Sequence, residues 1–388
     1  MSQLPQIVLK PRRELSVKRN HPWVFSGAVQ AMPSDLSEGT LIELRASNGE
    51  YLGVGFYGKG GIAAKVLTRG KRDLFEAIGE KIIYACQLRR NLGLIGNSET
   101  TGFRLINGEG DGLPGLVLDI YGNHAVLEVH SAGFFEIIGR VVEIVESTLS
   151  SFKLQTIYVK TAGGVERESF YARGATSSAV IIENGNHFEV EWEKGQKTGF
   201  FLDQRENRKL LQSLCLGKRV LNTFCFTGGF SVYTLHGGAT NVVSVDSSAQ
   251  ALATLERNLT LNNFSGLHQT VQRDCFDYLE NTHELFDVVV IDPPAFAKHL
   301  KAKDKALRGY ERLATCALRH VTPGGMLFTF SCSQVVDPES FLLATQKGAS
   351  NSGKNCQITH RLSQAPCHPI TLAHTEGEYL KGYVMTVS

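Results

Sequence analysis

The chain has 388 residues, 42% of them apolar and 20% charged, with only 11 prolines, which excludes a disordered protein and suits roughly two or three domains with buried cores. Its longest apolar runs, 288–291 and 326–330, fall far short of the ~20 residues a membrane span needs. Residues 1–15 lack the apolar stretch of a secretory signal, so a cytoplasmic protein with no membrane partner is expected. The net charge is +2, but the first 90 residues hold 14 Lys and Arg against 8 Asp and Glu, the imbalance of a module that meets a polyanion such as nucleic acid.

Short candidate strands at 6–10, 40–45, 52–56 and 63–67, parted by glycine turns, make residues 1–70 a small β-rich domain. From 73 to 92 the period changes: Leu74, Ile78, Ile82, Ala85 and Leu88 fall at helical spacing. Two strand-like runs, 115–121 and 125–130, then flank Gly122-Asn123, which is hairpin chemistry. A helix over 134–149 and strands at 156–160, 180–182 and 187–192 complete an α+β domain over residues 71–190.

From 191 to 388 strands and helices alternate. Buried strands are expected at 219–223, 242–246, 269–273, 287–291 and 326–330, with helices at 230–236, 249–262, 275–280 and 305–320, and a closing antiparallel pair at 357–362 and 382–387. The fold class is therefore α/β, a Rossmann-like doubly wound sheet behind two smaller domains, with ligands at the carboxyl ends of the strands.

The first of these strands runs into Thr227-Gly228-Gly229, a turn without the GxGxxG grip for a pyrophosphate. Asp246 ends the next strand, 18 residues after Gly228, placed for the hydroxyls of a ribose. Asp274 follows the third strand, where an adenine would lie. A glycine turn with acids on two successive strands suits S-adenosylmethionine better than NAD.

The fourth strand delivers Asp292-Pro293-Pro294-Ala295-Phe296 and the fifth delivers Ser331-Cys332-Ser333. Neighbouring strands lie ~4.8 Å apart, so Asp292 and Cys332 are expected side by side over the cofactor, with Phe296 as a platform for a flat ring. A carboxyl group and a thiol flanking a methyl donor suit pyrimidine C5 methylation, in which a thiolate adds to C6 and makes C5 nucleophilic. Cys215, Cys225, Cys275 and Cys316 are read as packing thiols. The eight cysteines contain no CxxC pair and no zinc spacing, so no metal is expected. Just beyond the prolyl turn, Lys298, Lys301, Lys303, Lys305 and Arg308 face one acid, Asp304, the composition of a clamp for RNA phosphates.

Together HPWVFSGAV (21–29), RLINGEGDGLPGLVLDIYG (104–122), GQKTGFFLDQRENR (195–208), LNTFCFTGGFSVY, VDSSAQAL, DPPAFAK, TFSCS and EGEYLKG resemble, in order and over essentially the whole chain, the RlmI-type 23S ribosomal RNA cytosine-5 methyltransferases. The resemblance implies a PUA-like first domain and a methyltransferase last domain. It implies S-adenosylmethionine held by Lys197, Thr198, Phe200, Asn222, Phe224, Gly228, Asp246, Asp274 and Asp292, with Cys332 as nucleophile. Substrate contacts are expected from Pro293, Pro294, Phe296, Lys298, Lys301 and Lys303. The expected partner is 23S ribosomal RNA before subunit assembly is complete, and the sequence leaves a homodimer open. Ala295 stands where two-cysteine relatives carry a second thiol, so the adduct must be resolved differently, with water ordered by Asp292 as the expected means. Uridine C5 methylation and a non-catalytic RNA-binding role are the rival readings.

Overall fold

The structure, a computed structural model, describes residues 4–264, 266–297 and 299–388. It resolves into two compact units. The first holds the chain up to 181 together with 190–200 and 366–377, and the second holds 182–189, 201–365 and 378–388. The sequence reading cut the chain once at 70 and once at 190; the backbone instead crosses between the units several times, and the excursion at 366–377 has no counterpart in a contiguous division.

In the first unit a six-stranded sheet has the order Trp23–Phe25, Ile62–Arg69, Tyr51–Tyr57, Leu41–Arg45, Gln6–Leu9, Val29–Ala31. Alternate residues of its strands, among them Ile7, Leu9, Ile42 and Leu44, are fully buried in one core, as period-two burial of a half-covered sheet requires. A second, five-stranded sheet runs Phe170–Arg173, Thr156–Thr161, His124–Val129, Leu116–Tyr121, Gly102–Asn107. Its central hairpin pairs Tyr121 with His124 across Gly122 and Asn123, and Gly122 takes φ +63°, the left-handed backbone such a turn needs. Helix Leu74–Asn91 begins where expected because the Asp73 carboxylate accepts the Phe75 and Glu76 amides at 2.9 and 3.0 Å.

Several features differ from the sequence reading, the unpredicted strand Gly102–Asn107 among them. The helix expected over 134–149 is two helices, Ala132–Glu136 and Ile138–Thr148, parted at Ile137. The edge strand Phe170–Arg173 was missed because its four residues are mostly exposed and carry no alternation. The acid of the GEGDG motif turns out to be structural: Asp111 takes both ends of the fully buried Arg89 guanidinium at 2.5 and 2.8 Å. Arg89 also donates to the Cys367 carbonyl and so fastens 366–377 within this unit.

The second unit is built on seven strands: β1 (Arg219–Thr223), β2 (Asn241–Asp246), β3 (His268–Gln272), β4 (Phe286–Ile291), β5 (Val321–Ser331), β6 (Cys356–Ser363) and β7 (Lys381–Val387). Their order is β3-β2-β1-β4-β5-β7-β6, parallel through β5 with β7 antiparallel. Helices α1 (Gly229–His236), α2 (Ala249–Leu261), α3 (Cys275–Asn281), α4 (Lys303–Arg319) and α5 (Pro338–Ser352) complete the layers. The chain leaves β1 toward β2 and β3, then returns to place β4 on β1's other side, which opens a crevice at the strand ends between β1 and β4. Among the described residues no helix is long and apolar enough to cross a membrane.

The segment entering this sheet is fixed by a buried ion pair. Glu183 and Arg208 are almost without exposure, and the guanidinium donates to both carboxylate oxygens at 2.8 Å while the Tyr233 hydroxyl of α1 donates to the same carboxylate. Removing one partner strands a buried charge, which costs about 3–5 kcal/mol. Glu183→Gln should therefore lower unfolding stability by about that amount, read as a shifted midpoint in urea denaturation; Glu183→Asp should lose less.

Candidate active site

The cofactor-side residues surround the turn after β1. Phe224 and Phe226 both take positive φ, +55° and +50°, and Gly228 takes +81°, a conformation bulky residues rarely adopt. Neighbouring strands pin it: the Asp246 carboxylate at the end of β2 accepts the Phe226 amide at 2.9 Å, Val245 O accepts the Cys225 amide, and the Cys275 sulfur accepts the Phe224 amide at 3.1 Å. The family resemblance gives Gly228 to the cofactor. Here a Cβ on it would meet Leu255 Cγ of α2 at 2.6 Å, so packing and backbone conformation both require the glycine.

Asp246 uses its second oxygen on the Ser248 amide at 2.9 Å. Asp274, two residues past β3, caps α3 through the Asp277 amide at 3.0 Å. The rings of Phe224 and Phe276 meet edge to face with centroids 6.4 Å apart. Two carboxylates at the ends of successive strands form an acceptor set that fits the hydroxyls and amine of an adenosine. Asn222 sits deeper. Its amide donates to Ser231 of α1 at 2.8 Å, and its buried carbonyl oxygen has no partner among the described residues.

Lys197, Thr198 and Phe200 belong to the first unit. Thr198 is fully buried, with its hydroxyl donating to Asp119 at 2.5 Å and 3.0 Å from the Tyr121 hydroxyl, so that side chain is committed to the fold.

On the other side of the crevice, β4 and β5 pair with Ile291 opposite Thr329. In that register Asp292 follows opposite Phe330, and Cys332 stands two residues further along. The thiol therefore lies beside the Pro293 carbonyl, Sγ to O 3.9 Å, rather than directly abreast of Asp292. Both flanking serines are fully buried and bonded: Ser331 donates to the Tyr310 hydroxyl of α4 at 2.9 Å, and Ser333 donates to the Ala297 carbonyl at 2.5 Å. Ser333 thus ties the prolyl turn to the thiol's loop.

Sequence reasoning missed Gln204. Buried at the mouth of the second unit's entering segment, it donates to Asp292 Oδ2 at 2.9 Å and accepts from Asn207 at 2.6 Å. Both lie in the 195–208 motif, whose spacing does not show which of its amides turn inward. Next to it the Tyr379 hydroxyl donates to Asp203 at 2.6 Å.

Phe296 is partly buried: it packs on Tyr310 at 4.7 Å and against the core beneath α3 and α4. Lys303 is paired with Asp337, the cap of α5, at 2.6 Å, and that contact with the Ser340 bonds holds the Asp337 carboxyl well below the usual carboxylate range. Pro293 is buried, Pro294 and Lys301 are exposed, and Lys298 lies outside the described residues. Burial pushes the Cys215 and Cys275 thiols up to about 12 and raises Cys225 and Cys316 as well. Of the eight cysteines only Cys332 and Cys356 are partly exposed, and Cys356 begins the edge strand β6, at the end of the strands away from Cys332.

Comparison with known proteins agrees with this geometry. The family model for S-adenosylmethionine-dependent methyltransferases matches residues 169–373, and one for PUA-like domains matches 7–69. The chain is 37% identical to ribosomal RNA large subunit methyltransferase I of Aeromonas hydrophila over 98% of each chain. It is 35% identical to a ribosomal RNA large subunit methyltransferase of Deinococcus radiodurans, over 98% of this chain and 97% of that one. In fold it is similar to a SAM-dependent methyltransferase structure from Streptococcus mutans, with TM-score 0.85 and 22% identity over 98% of this chain and 99% of that one. A methyltransferase complexed with SAH gives 0.86 and 23% over the same shares. The chain belongs to the family of S-adenosylmethionine-dependent methyltransferases that includes ribosomal RNA large subunit methyltransferase I, and S-adenosylmethionine is its cofactor.

Proposed function

We propose that this protein methylates C5 of a cytosine in large-subunit ribosomal RNA through a covalent adduct of Cys332. The observation that carries the reading is the state of the eight thiols. Cys332 alone is both partly exposed and placed at a strand's carboxyl end beside the prolyl turn, while its neighbours Ser331 and Ser333 are buried and fixed. The names of the full-length relatives supply the RNA class.

When bound, S-adenosylmethionine supplies an electrophilic methyl group on a sulfonium. The Cys332 thiolate forms a bond to C6 of the pyrimidine, and the displaced double-bond electrons make C5 nucleophilic. Asp292, oriented by Gln204, receives N–H groups of the base edge as charge builds on the ring. After C5 has taken the methyl, a base removes the C5 proton, the C5–C6 double bond re-forms, and the C6–S bond breaks to return the thiol. Asp246 and Asp274 hold the adenosine, with Phe224 and Phe276 against the adenine. Lys301, Lys305 and Arg308, all exposed, take backbone phosphates together with the basic first module.

Asp246→Ala removes the ribose ligand and frees the Phe226 amide. Cofactor affinity measured by calorimetry should fall about tenfold or more, the loss of charge-assisted bonds of about 1.5–3 kcal/mol. An unchanged affinity removes Asp246 from the site.

RNA carrying 5-fluorocytidine at the target should trap the wild-type protein in a complex that survives denaturing gels, since fluorine cannot leave as a proton does. Cys332→Ala should give no such complex and no methyl transfer while still binding cofactor and RNA. Trapping by 5-fluorouridine in place of the cytidine would move the reading to uracil. Normal turnover by Cys332→Ala would end the covalent mechanism.

A further inference from the structure

We propose that Lys381 is a positioning residue for Cys332: its buried ammonium group fastens the loop that follows the thiol and favours the thiolate. The proposal rests on the reading of Cys332 as the nucleophile.

Lys381 opens β7 directly opposite Ser331, the residue before the thiol. It is only 7% exposed, an unusual place for an ammonium group unless acceptors surround it. Its Nζ donates to the Ser333 carbonyl at 2.7 Å and to the Val336 carbonyl at 2.6 Å. Both acceptors lie in the few residues after Cys332, so one side chain closes the turn that leaves the nucleophile. An ammonium has three N–H groups, and these two carbonyls use two of them.

The charges that face Lys381 are Cys332 from β5, Asp337 from the cap of α5 and Glu378 from the segment before β7, with Cys332 the strongest of the three. Asp337 is already paired with Lys303, and Glu378 is exposed. Tyr310 of α4 and Asp292 after β4 are further titratable groups on this side, and burial pushes Tyr310 up to about 12, so it remains a neutral acceptor. Burial brings Lys381 down to about 8. At neutral pH the amine is therefore still mostly protonated, and a cation beside a thiol lowers the thiol's pKa. As pH rises through that value the amine loses its proton and its pull on the thiolate.

A lysine that only staples a loop would leave the thiol's titration alone, which gives the test. The rate at which iodoacetamide alkylates Cys332 is followed by mass spectrometry of the Cys332 peptide across pH, using the full chain without cofactor or RNA. In the wild-type protein the midpoint should lie below the ~8.5 of a free cysteine. Lys381→Met should raise it by about one unit or more and slow alkylation at pH 7 about tenfold, with cofactor affinity serving as the check on folding. A wild-type midpoint at or above the free value overturns the proposal without any variant, and so does an unmoved midpoint in folded Lys381→Met. Failure of the nucleophile reading would show separately: a low midpoint with no fluorocytidine complex overturns covalent catalysis and leaves the Lys381–Cys332 pairing standing.

Discussion

The parallel pairing of β4 with β5 governs the chemistry of the second unit. It brings two loops together from stretches of chain about forty residues apart, and side chains then lock them: Ser333 to Ala297, Ser331 to Tyr310, Lys381 to Ser333 and Val336. A free loop would have to order its backbone at about 1–2 kcal/mol per residue on meeting substrate. Here that cost is met during folding, by bonds among buried groups that have no alternative partner in water. The partly exposed thiol sits in a loop held by these bonds.

Burial also separates the thiols by chemistry. Cys275 receives the Phe224 amide and donates to the Val245 carbonyl, so it works as a polar spacer beneath the cofactor turn and its proton is held tightly. Cys225 and Cys316 are likewise buried. A thiol in such surroundings is a poor nucleophile because only the thiolate attacks. The sequence singles out Cys332 by its place after the fifth strand, and the fold leaves it partly exposed at the strand ends.

What could be read from the sequence was whatever repeats locally. The Asp73 cap, the Gly122-Asn123 turn and the strand–helix alternation after 191 each show within a few residues, because hydrogen bonds and burial at short range impose a period. Acids at the ends of β2 and near β3 were legible for the same reason. Long-range side-chain pairs left no such trace. Lys303 in a basic run reads as a solvated cation until Asp337, 34 residues on, is found against it. Thr198 matches a binding motif, yet its hydroxyl is spent on Asp119, 79 residues away. Gln204 and Lys381 were passed over although both lie inside quoted motifs, since neither residue type announces its partner.

The turn after β1 shows why its motif combines two aromatics, a glycine and a distant acid. Holding Phe224 and Phe226 in the left-handed region costs about 1–2 kcal/mol each. The Asp246 carboxylate bonded to the Phe226 amide returns about 1.5–3 kcal/mol, and the Cys275 contact to the Phe224 amide adds to it. These magnitudes are comparable, so the turn holds its shape only while β2 and α3 are in place beside it. The acid is therefore part of the scaffold before it is part of a binding site. Because its oxygens are oriented by backbone amides, the carboxylate's rotamer is already fixed, and in the proposed role of ribose acceptor no binding energy need be diverted to ordering that side chain.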